Sequence, residues 1–282
     1  MFTLKIENKR GEQFTLSGSP DYTILGIDGI ASSSATLNMS NTGLRDGADF
    51  NSSRANVRNI VLTVAINNPV EANRLRLYQY FKSKQYCKIY FKNGMRNVFI
   101  EGYVETIEND LFAQRQTVQI SIVCPRPYFK SLGSMYSDIS RIVRAFSFPF
   151  SIEAEGIEFS YIQKDYIATV NNKGDVDCGI IAVITATDRV VNPVIYSLET
   201  GGSFGVKVTM EASDQLVINT NDGEKSVKFI HNGIEQNYIN YVMTNPEWFT
   251  LSAGNNIFSY DAEDGVDNLN IYVEHRALYE GV

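Results

Sequence analysis

The residues GGSFG at positions 201–205 match the pattern G-x-S-x-G, in which the serine is the nucleophile of a hydrolase. That chemistry needs a strand, a sharp turn and a helix, because the helix N-terminus and the strained turn expose the serine. The residues that follow here, VKVTME, alternate between apolar and polar types as a strand does. The pattern therefore favours a hairpin turn over a nucleophile at Ser203. His231 and His275 are the only histidines that could act as a base for Ser203. For both, a packed or surface histidine is the favoured interpretation.

Metal-ligand patterns are weak in this sequence. The segment DAEDGVD at 261–267 is similar to a calcium loop, but Gly265 stands at the fifth position, where such a loop needs glycine at the sixth. Cys87, Cys124 and Cys178 are widely spaced and form no C-x-x-C pair, which is typical of small core residues. The sequence thus predicts no catalytic residue, metal or cofactor, although a cation held by scattered carbonyl groups stays open as an alternative.

Basic residues are concentrated between positions 45 and 96, where ten Lys and Arg stand against three Asp and Glu. Interleaved tyrosines make a nucleic-acid surface one interpretation. The cations are spread over a predicted helix and a predicted strand, however, and the chain as a whole has a net charge of −7. A basic subunit interface that meets an acidic neighbour explains them at least as well.

Trp248 is the only tryptophan, and it lies beside Phe249 and close to Tyr238 and Tyr241 in the sequence. In a β-sandwich an exposed aromatic ring can stack on a sugar, so Trp248 is a candidate partner or sugar contact. Aromatic residues are more often part of a core, and that interpretation is favoured.

Two prolines mark a boundary near the middle of the chain. In VQISIVCPRPYF, at 118–129, apolar and polar residues alternate up to Cys124 as in a half-buried strand. Pro125 and Pro127 then end the strand, because neither has an N–H group for a neighbouring strand.

The charge of the chain changes at the same place. Residues 1–130 carry 16 basic and 11 acidic residues, a net of +5, whereas residues 131–282 carry 9 and 21, a net of −12. We therefore predict a first domain over 1–130, a connector over 131–150 and a second domain over 151–282. Met135, Ile139, Ile142 and Val143 have helical spacing within the connector.

The first domain contains a polar arm and one predicted helix. Residues 31–56 are rich in Ser, Asn and Gly without strong periodicity, which indicates either a mobile loop or an arm that becomes ordered against a partner. A β-branched strand at 57–66 precedes the helix, which is predicted over 69–83 with Asn68 as its N-cap. The predicted buried face of this helix consists of Ala72, Leu75, Tyr78 and Phe81.

The second domain reads as many short strands separated by turn signals, which favours an antiparallel sandwich or jelly roll. IEFSYI at 157–162 is the first of these predicted strands. The longest apolar run, IIAVI at 180–184, is far too short for a membrane helix. The start, MFTLKIENKR, lacks the apolar stretch of a signal peptide, so we expect a protein that is not exported by such a signal.

The order of segments resembles the distal tail proteins of long-tailed phages from end to end. In the first half the resemblance rests on the GIDG turn, the polar arm, the apolar strand that starts at Arg58, the helix NPVEANRLRLYQYF, then NVFIEGYVE and QISIVCPRPYFK. In the second half it rests on SFPF, NNKGDVDCG, EWFTLSAGNNIFSY and the closing LYEGV. No single motif is diagnostic, and the order of all of them carries the resemblance.

The resemblance implies a mainly β structural protein. Its N-terminal domain would be a sandwich or barrel-like ring domain with one α-helix, and its C-terminal domain a galectin-like antiparallel β-sandwich. The implied assembly is a homo-hexameric ring around a channel through which DNA passes without specific binding. The implied partners are the tail tube protein, a tail-tip protein and a receptor-binding protein, with no membrane. The implied location is the virion tail tip, after assembly in the bacterial host cytoplasm.

Within this framework we expect residues 31–58 to contribute to contacts between subunits. The candidate interface charges are Arg54, Arg58, Lys82 and Lys84, so the basic residues of 45–96 would face subunits and not the channel. The alternative function is a carbohydrate-binding module that contacts host cell-wall sugar through Trp248.

Overall fold

The structure is a computed structural model that describes residues 2–41, 43, 45–139 and 167–282. It divides into two compact units: unit 1 is Met1–Leu132 together with Leu278–Val282, and unit 2 is Gly133–Ala277. The chain therefore leaves unit 1 after Leu132 and returns to it at Leu278. The strand predicted at 157–162 and the 140–150 part of the predicted connector lie outside the described residues.

Strands account for most of the regular structure. The elements up to Leu132 are β1 (Thr3–Asn8), β2 (Gln13–Thr15), β3 (Tyr22–Asp28), β4 (Ala35–Ser40), β5 (Asp49–Ala55), β6 (Arg58–Ile66), α1 (Val70–Tyr80), β7 (Tyr86–Lys92), β8 (Asn97–Asp110), β9 (Thr117–Cys124) and β10 (Phe129–Ser131). The following elements are β11 (Met135–Asp138), β12 (Ile167–Asn172), β13 (Cys178–Ala186), β14 (Val190–Ser197), β15 (Ser203–Gly205), β16 (Thr209–Met210), β17 (Gln215–Asn219), β18 (Ser226–His231), β19 (Ile234–Asn237), β20 (Thr250–Leu251), β21 (Gly254–Asp264), β22 (Leu269–His275) and β23 (Leu278–Tyr279). Short 3-10 turns occupy Ile239–Tyr241 and Val266–Asn268.

One large antiparallel sheet organises unit 1. Its strands follow the order β2-β1-β7-β8-β9-β6-β3, and β10 joins it by pairing with β8 on one side and β23 on the other. Side chains in β7 alternate between buried and half-exposed, so Cys87, Ile89 and Phe91 point to the core. The buried sides of these strands form one apolar core with Phe81 and Phe129. The prediction of a mainly β fold with one α-helix is confirmed for the described residues.

Helix α1 is shorter than predicted, and it buries a different face. It begins at Val70 with Pro69 in the N-cap position, so Asn68 does not act as the cap. The buried residues of the helix are Asn73 and Leu77, whereas Leu75, predicted to be buried, is 56% exposed. Phe81, also predicted to be buried, directly follows the helix and is buried, so the prediction is confirmed for that residue.

The polar residue Asn73 explains this rotation of the buried face. Its side-chain amide donates to the carbonyl oxygen of Asn67 at 3.0 Å, and its own carbonyl accepts a hydrogen bond from the Tyr22 hydroxyl at 2.9 Å. A buried amide is tolerated when its hydrogen bonds are made, so an asparagine occupies a place where an apolar residue was expected.

Unit 2 contains two antiparallel sheets. One has the order β11-β22-β13-β17-β18-β19, with β20 pairing with β13, and the other has the order β12-β21-β14-β15, with β16 pairing with β14. Burial alternates along β17 and β22, so each of these strands has one core side. The antiparallel strands expected from the turn signals are thus present in the described part of unit 2.

The first described residues of unit 2 are extended and not helical. Met135–Asp138 forms β11, and Met135 pairs with His275 of β22. The helical spacing of Met135 and Ile139 was therefore misleading for this stretch, because pairing with β22 supplies the backbone hydrogen bonds. Among the described residues, none of the helices has the length and apolar character needed to span a membrane.

Gly29, which follows β3, lies close to the backbone of Asn59 in β6, and a substitution there can test this close approach. A Cβ atom there would lie 2.0 Å from the carbonyl oxygen of Asn59, and its φ is +81°. We expect Gly29→Ala to destabilise unit 1 by about 2 kcal/mol more than Gly11→Ala, because overpacking is costly. Gly11 is the matched control, since its φ is +80° but its Cβ would meet nothing within 4 Å. Equal losses in chemical denaturation would contradict the close contact.

Candidate subunit-interface site

Strands β4 (Ala35–Ser40) and β5 (Asp49–Ala55) form a two-stranded antiparallel ribbon that is separate from the large sheet of unit 1. We call these two strands the ribbon. Leu37 lies opposite Ser53, and Met39 lies opposite Phe50. Every residue of β4 is exposed, and so are all residues of β5 except the last. The segment predicted to be a mobile loop or an ordered arm therefore has regular structure without a core of its own.

The two faces of the ribbon differ in chemistry, because residues opposite one another in a pair of strands share a face. One face carries Ala35, Leu37, Met39, Phe50, Ser53 and Ala55. The other carries Thr36, Asn38, Ser40, Asp49, Ser52 and Arg54. The Asn38 amide donates to the Ser52 hydroxyl at 3.3 Å across the polar face. The ribbon is thus amphipathic, with its apolar side uncovered.

A bulge hides this alternation in the sequence. The register shifts between Asn38 and Met39, which leaves Asn51 as an extra residue in β5. The Ser40 hydroxyl donates to the side-chain oxygen of Asn51 at 3.3 Å. Because the extra residue moves Phe50 to the apolar face, a strict two-residue period misses it. The alternation of Ala35, Leu37 and Met39 in β4 was the available signal.

Exposure of the apolar face is unfavourable for a ribbon in water. Leu37, Met39 and Phe50 are 53%, 56% and 62% exposed. An isolated two-stranded hairpin is at best marginally stable, whereas fully burying one such side chain contributes about 1.5–3 kcal/mol. A partner that covers this face would therefore stabilise both the ribbon and the complex.

Three of the four predicted interface cations lie on the surface. Arg54 is on the polar face of the ribbon, while Lys82 and Lys84 occupy the turn after α1. The φ of Lys84 is 67°, and its backbone N–H donates to the carbonyl oxygen of Val104 at 2.7 Å, which fixes the turn. Within the described ranges, no carboxylate forms an ion pair with any of these three side chains.

Arg58, the fourth predicted cation, is only 3% exposed. Its Nε donates to the carbonyl oxygen of Pro127 at 2.6 Å, and its Nη2 donates to that of Glu280 at 2.6 Å. Its Nη1 donates to the carbonyl oxygens of Gly29, at 2.6 Å, and of Ala31. All of these acceptors belong to unit 1.

Burial changes the role that Arg58 can have. The ring of Phe129 lies 4.7 Å from the guanidinium carbon, and burial lowers the pKa of Arg58 from its ordinary value. A side chain whose donors are directed at its own subunit is not placed to contact a neighbour. We therefore assign Arg58 a role inside the subunit in place of the direct interface contact expected from its charge.

Other cations of the 45–96 stretch are also held by their own chain. Arg96 donates from Nη1 to the carbonyl oxygen of Gly281, and its guanidinium lies 4.5 Å from the Tyr279 ring centre. The ion pairs in this stretch are Arg74–Glu71 at 2.9 Å, Arg76–Asp21 at 3.7 Å and Lys88–Glu101 at 3.8 Å. Half of the ten cations are thus committed to partners within unit 1.

The candidate nucleophile lies on a strand. Ser203 begins β15, which pairs with β14 in a hairpin, and its carbonyl oxygen accepts the Glu247 N–H at 2.9 Å. The hairpin predicted for 201–205 is confirmed, and the strand-turn-helix geometry of a nucleophile elbow is not formed there. His231 Nδ1 lies 2.8 Å from Asp214 Oδ1 at the end of β18, and His275 is buried in β22.

Trp248 is half-buried and packed on two sides. The Phe204 ring meets it edge-on with centroids 4.9 Å apart, and Lys225 Nζ lies 5.5 Å from its ring centre. A ring that already has these neighbours is not an open stacking platform, which favours the packing interpretation of Trp248.

The calcium-like segment also takes a structural form. β21 ends at Asp264, and Gly265 turns the chain with a φ of 76° into the 3-10 turn Val266–Asn268. In the part of the chain that the structure describes, no group of three or more His, Cys, Asp or Glu side chains is arranged to hold a metal ion.

Comparison with known proteins finds one family that matches part of unit 2. The family described as "Siphovirus-type tail component, C-terminal domain" matches residues 173–276, which lie within this unit. Residues 173–276 of unit 2 are therefore similar to this C-terminal domain family. No curated protein matches the chain.

Solved structures that are similar to the whole chain come from phages. SPP1 Dit, described as a paradigm of the hub adsorption apparatus in phages that infect Gram-positive bacteria, is similar with a TM-score of 0.71 and 10% identity over 99% of each chain. A chain of the phage p2 baseplate in its calcium-activated conformation has a TM-score of 0.53 and 9% identity over the full length of both chains. The strontium form of that baseplate gives a TM-score of 0.52 at 9% identity. The resemblance to distal tail proteins is therefore confirmed at the level of the fold.

The buried histidine of unit 2, His275, makes the stability of this unit depend on pH. His275 is 3% exposed, and burial lowers its pKa, with the Asn171 backbone opposing the shift only in part. An unfolded histidine has a pKa of about 6.5, so between the folded pKa and that value the unfolded state binds more protons. The contribution is fully present above the unfolded pKa and is lost as the pH falls below it.

We expect the urea midpoint of unit 2 to fall between pH 7.5 and pH 5, and His275→Leu to reduce that fall. Fluorescence of Trp248, the single tryptophan, reports on unit 2 alone. Val273→Ala is the control, because Val273 is fully buried in the same strand as His275 and has no titratable group, so it should lower the midpoint but keep the pH dependence of the wild type. The same pH dependence in His275→Leu and wild type would contradict this origin.

Proposed function

We propose that the chain is a structural hub protein of a phage tail. Copies of it close into a ring that joins the tail tube to the tail-tip and receptor-binding apparatus. The observation that carries the proposal is the ribbon, β4 and β5, whose apolar side chains Leu37, Met39 and Phe50 are more than half exposed. The family match of residues 173–276 and the similarity to SPP1 Dit over 99% of the chain support the same role.

A ring requires two different surfaces on each copy. In a head-to-tail arrangement the ribbon of one copy covers a surface on the next, and the series closes when the rotation returns to the first copy. Burial of Leu37, Met39 and Phe50 supplies the apolar part of each contact. Six copies are expected from the resemblance to distal tail proteins.

Arg54, Lys82 and Lys84 contribute charge to this proposed interface. They are surface cations that no carboxylate pairs with in the described residues, and unit 2 with its flanking segments carries most of the acidic residues of the chain. Charges at the rim of an interface mainly accelerate association and specify partners. We assign these three residues that role.

The proposed channel lets DNA pass without specific binding. Each Lys or Arg that neutralises a phosphate adds salt-sensitive affinity, so a channel wall needs few available cations. Five of the ten cations of 45–96 already have partners in their own chain and are less available to phosphates. Arg74, Arg76 and Lys88 form ion pairs, and Arg58 and Arg96 bind carbonyl groups. The hub acts by contact and not by catalysis.

The proposed location follows from the proposed role. The chain works at the virion tail tip, next to the tail tube protein, a tail-tip protein and a receptor-binding protein. We propose that it is assembled there in the cytoplasm of the bacterial host.

Loss of the apolar face of the ribbon should prevent ring formation. We expect Leu37→Ser combined with Phe50→Ser to weaken each contact on the order of a hundredfold, because two buried side chains contribute about 3 kcal/mol together. Native mass spectrometry measures the fraction of assembled particles. The monomer should keep its thermal stability, since both side chains are exposed in it.

A matched control changes the opposite face of the same ribbon. Asn38→Ser combined with Ser52→Ala leaves the apolar face intact and should assemble as the wild type does. Deletion of residues 33–52 should prevent assembly. If the Leu37→Ser, Phe50→Ser variant or this deletion forms rings at wild-type concentration, the ribbon is not the contact.

Reversal of the three exposed cations separates the interface role from DNA binding. We expect Arg54→Glu, Lys82→Glu and Lys84→Glu together to slow assembly several-fold at low salt, about 0.2–1 kcal/mol per pair, with less effect at high salt. Lys9→Glu, another exposed cation, is the control. Fluorescence anisotropy should detect no tight binding of duplex DNA by the assembled wild type at physiological salt. Tight binding that the triple variant abolishes would assign these cations to nucleic acid.

A further inference from the structure

Arg58 lies where both ends of the ribbon meet unit 1. It is the first residue of β6 and lies three positions after the end of the ribbon, while its acceptor Ala31 lies four positions before the start of the ribbon. The Asn56 N–H donates to the carbonyl oxygen of Ser34 at 2.9 Å and closes the base of the ribbon. We call residues 29–34 together with residues 55–57 the ribbon base. The Arg58 side chain thus contacts the segment that enters the ribbon, and the Arg58 backbone continues the segment that leaves it.

The segment Leu278–Val282 completes the same cluster. β23 pairs with β10, the Glu280 carbonyl accepts from Arg58, and the Gly281 carbonyl accepts from Arg96. The N–H of Val282 donates to the carbonyl oxygen of Ile30 at 3.2 Å, directly in the ribbon base. The segment therefore contacts the ribbon base itself and also the arginine that fixes it.

The carbonyl groups that Arg58 binds share one property. Gly29, Ala31, Pro127 and Glu280 all lie outside regular strands, in bends or irregular chain. Buried carbonyl groups need donors, and those of loop segments cannot obtain them from a ladder. A guanidinium presents several donors in a fixed plane, so it can serve several segments at once in a way that a lysine cannot.

We propose that Arg58 and the segment Leu278–Val282 form a latch that fixes the direction in which the ribbon leaves the large sheet of unit 1. Arg58 is a positioning residue, because it acts on assembly through the ribbon base and does not touch the neighbouring copy. The effect of the latch on assembly rests on the proposed function, whereas its effect on the ribbon base exists in the single chain. A ribbon held in one direction loses less conformational freedom when it docks.

Amide hydrogen exchange on the dilute monomeric protein tests the latch. We expect deletion of residues 280–282 and, separately, Arg58→Lys to accelerate exchange at the ribbon base on the order of tenfold, because hydrogen bonds to a charged donor are lost. Exchange of the core strand β9, residues 117–124, should change far less. Arg10→Lys, an arginine exposed at the surface, should match the wild type at both places.

Two results would overturn the latch. Unchanged exchange at the ribbon base in the deletion variant would show that the segment does not hold it. Equal acceleration in β9 and at the ribbon base in both variants would show that Arg58 and the segment only stabilise the unit as a whole. If Arg58→Lys does not fold, the deletion variant decides alone, since it leaves Arg58 and β23 in place.

The mass of the particle at high concentration separates this proposal from the proposed function. A wild-type chain that stays monomeric while its ribbon base responds to the deletion would support the latch and contradict the ring. Variants that form rings as the wild type does, with unchanged exchange at the ribbon base, would support the ring and contradict the latch. Faster exchange together with weaker assembly supports both.

Discussion

A single buried positive charge organises the part of unit 1 from which the ribbon emerges. Removing a guanidinium from water is costly unless each of its donors finds an acceptor, and Arg58 finds them on Gly29, Ala31, Pro127 and Glu280. These residues come from distant parts of the sequence, so β3, the ribbon base, the exit from β9 and the returning segment must all be in place together. The two prolines that end β9 take part in this requirement, because the second of them supplies a carbonyl group to Arg58.

Arg58 is a buried charge, whereas the ribbon has exposed apolar side chains, since it has regular structure without a core. Its strands make their own ladder, but one side of that ladder is apolar and exposed. Such a surface on a monomer typically marks a contact with another molecule. In the proposed ring the two features are complementary: a fixed base would limit the directions that the ribbon can take, and burial of the apolar face would favour docking. This pairing would link a charged residue and an apolar strand in one function.

Local sequence patterns predicted the strands of the core but not the contacts that close them. The alternation in β7 and β9 is regular because both strands bury one side against the same core, and the sequence shows that period directly. The face of α1 was misassigned because Asn73 is buried through hydrogen bonds to Asn67 and Tyr22, which no apolar period reveals. The return of residues 278–282 to unit 1 was also missed. Its acceptors are backbone carbonyl groups, which every residue has, so the sequence contains no signal for them.

Arg58 shows why charge alone is a poor guide to an interface. In the sequence it is equivalent to Arg54, four residues earlier, yet the structure exposes one and buries the other. The difference arises from position: Arg54 lies on the polar side of a ribbon with no second layer, whereas Arg58 starts a strand of the large sheet. The net charge of +5 over residues 1–130 therefore overstates the positive surface of unit 1, because the charge of Arg58 is buried and bonded to carbonyl groups. In the proposed hub, burial of Arg58 keeps one cation of the basic stretch away from DNA that passes through the channel.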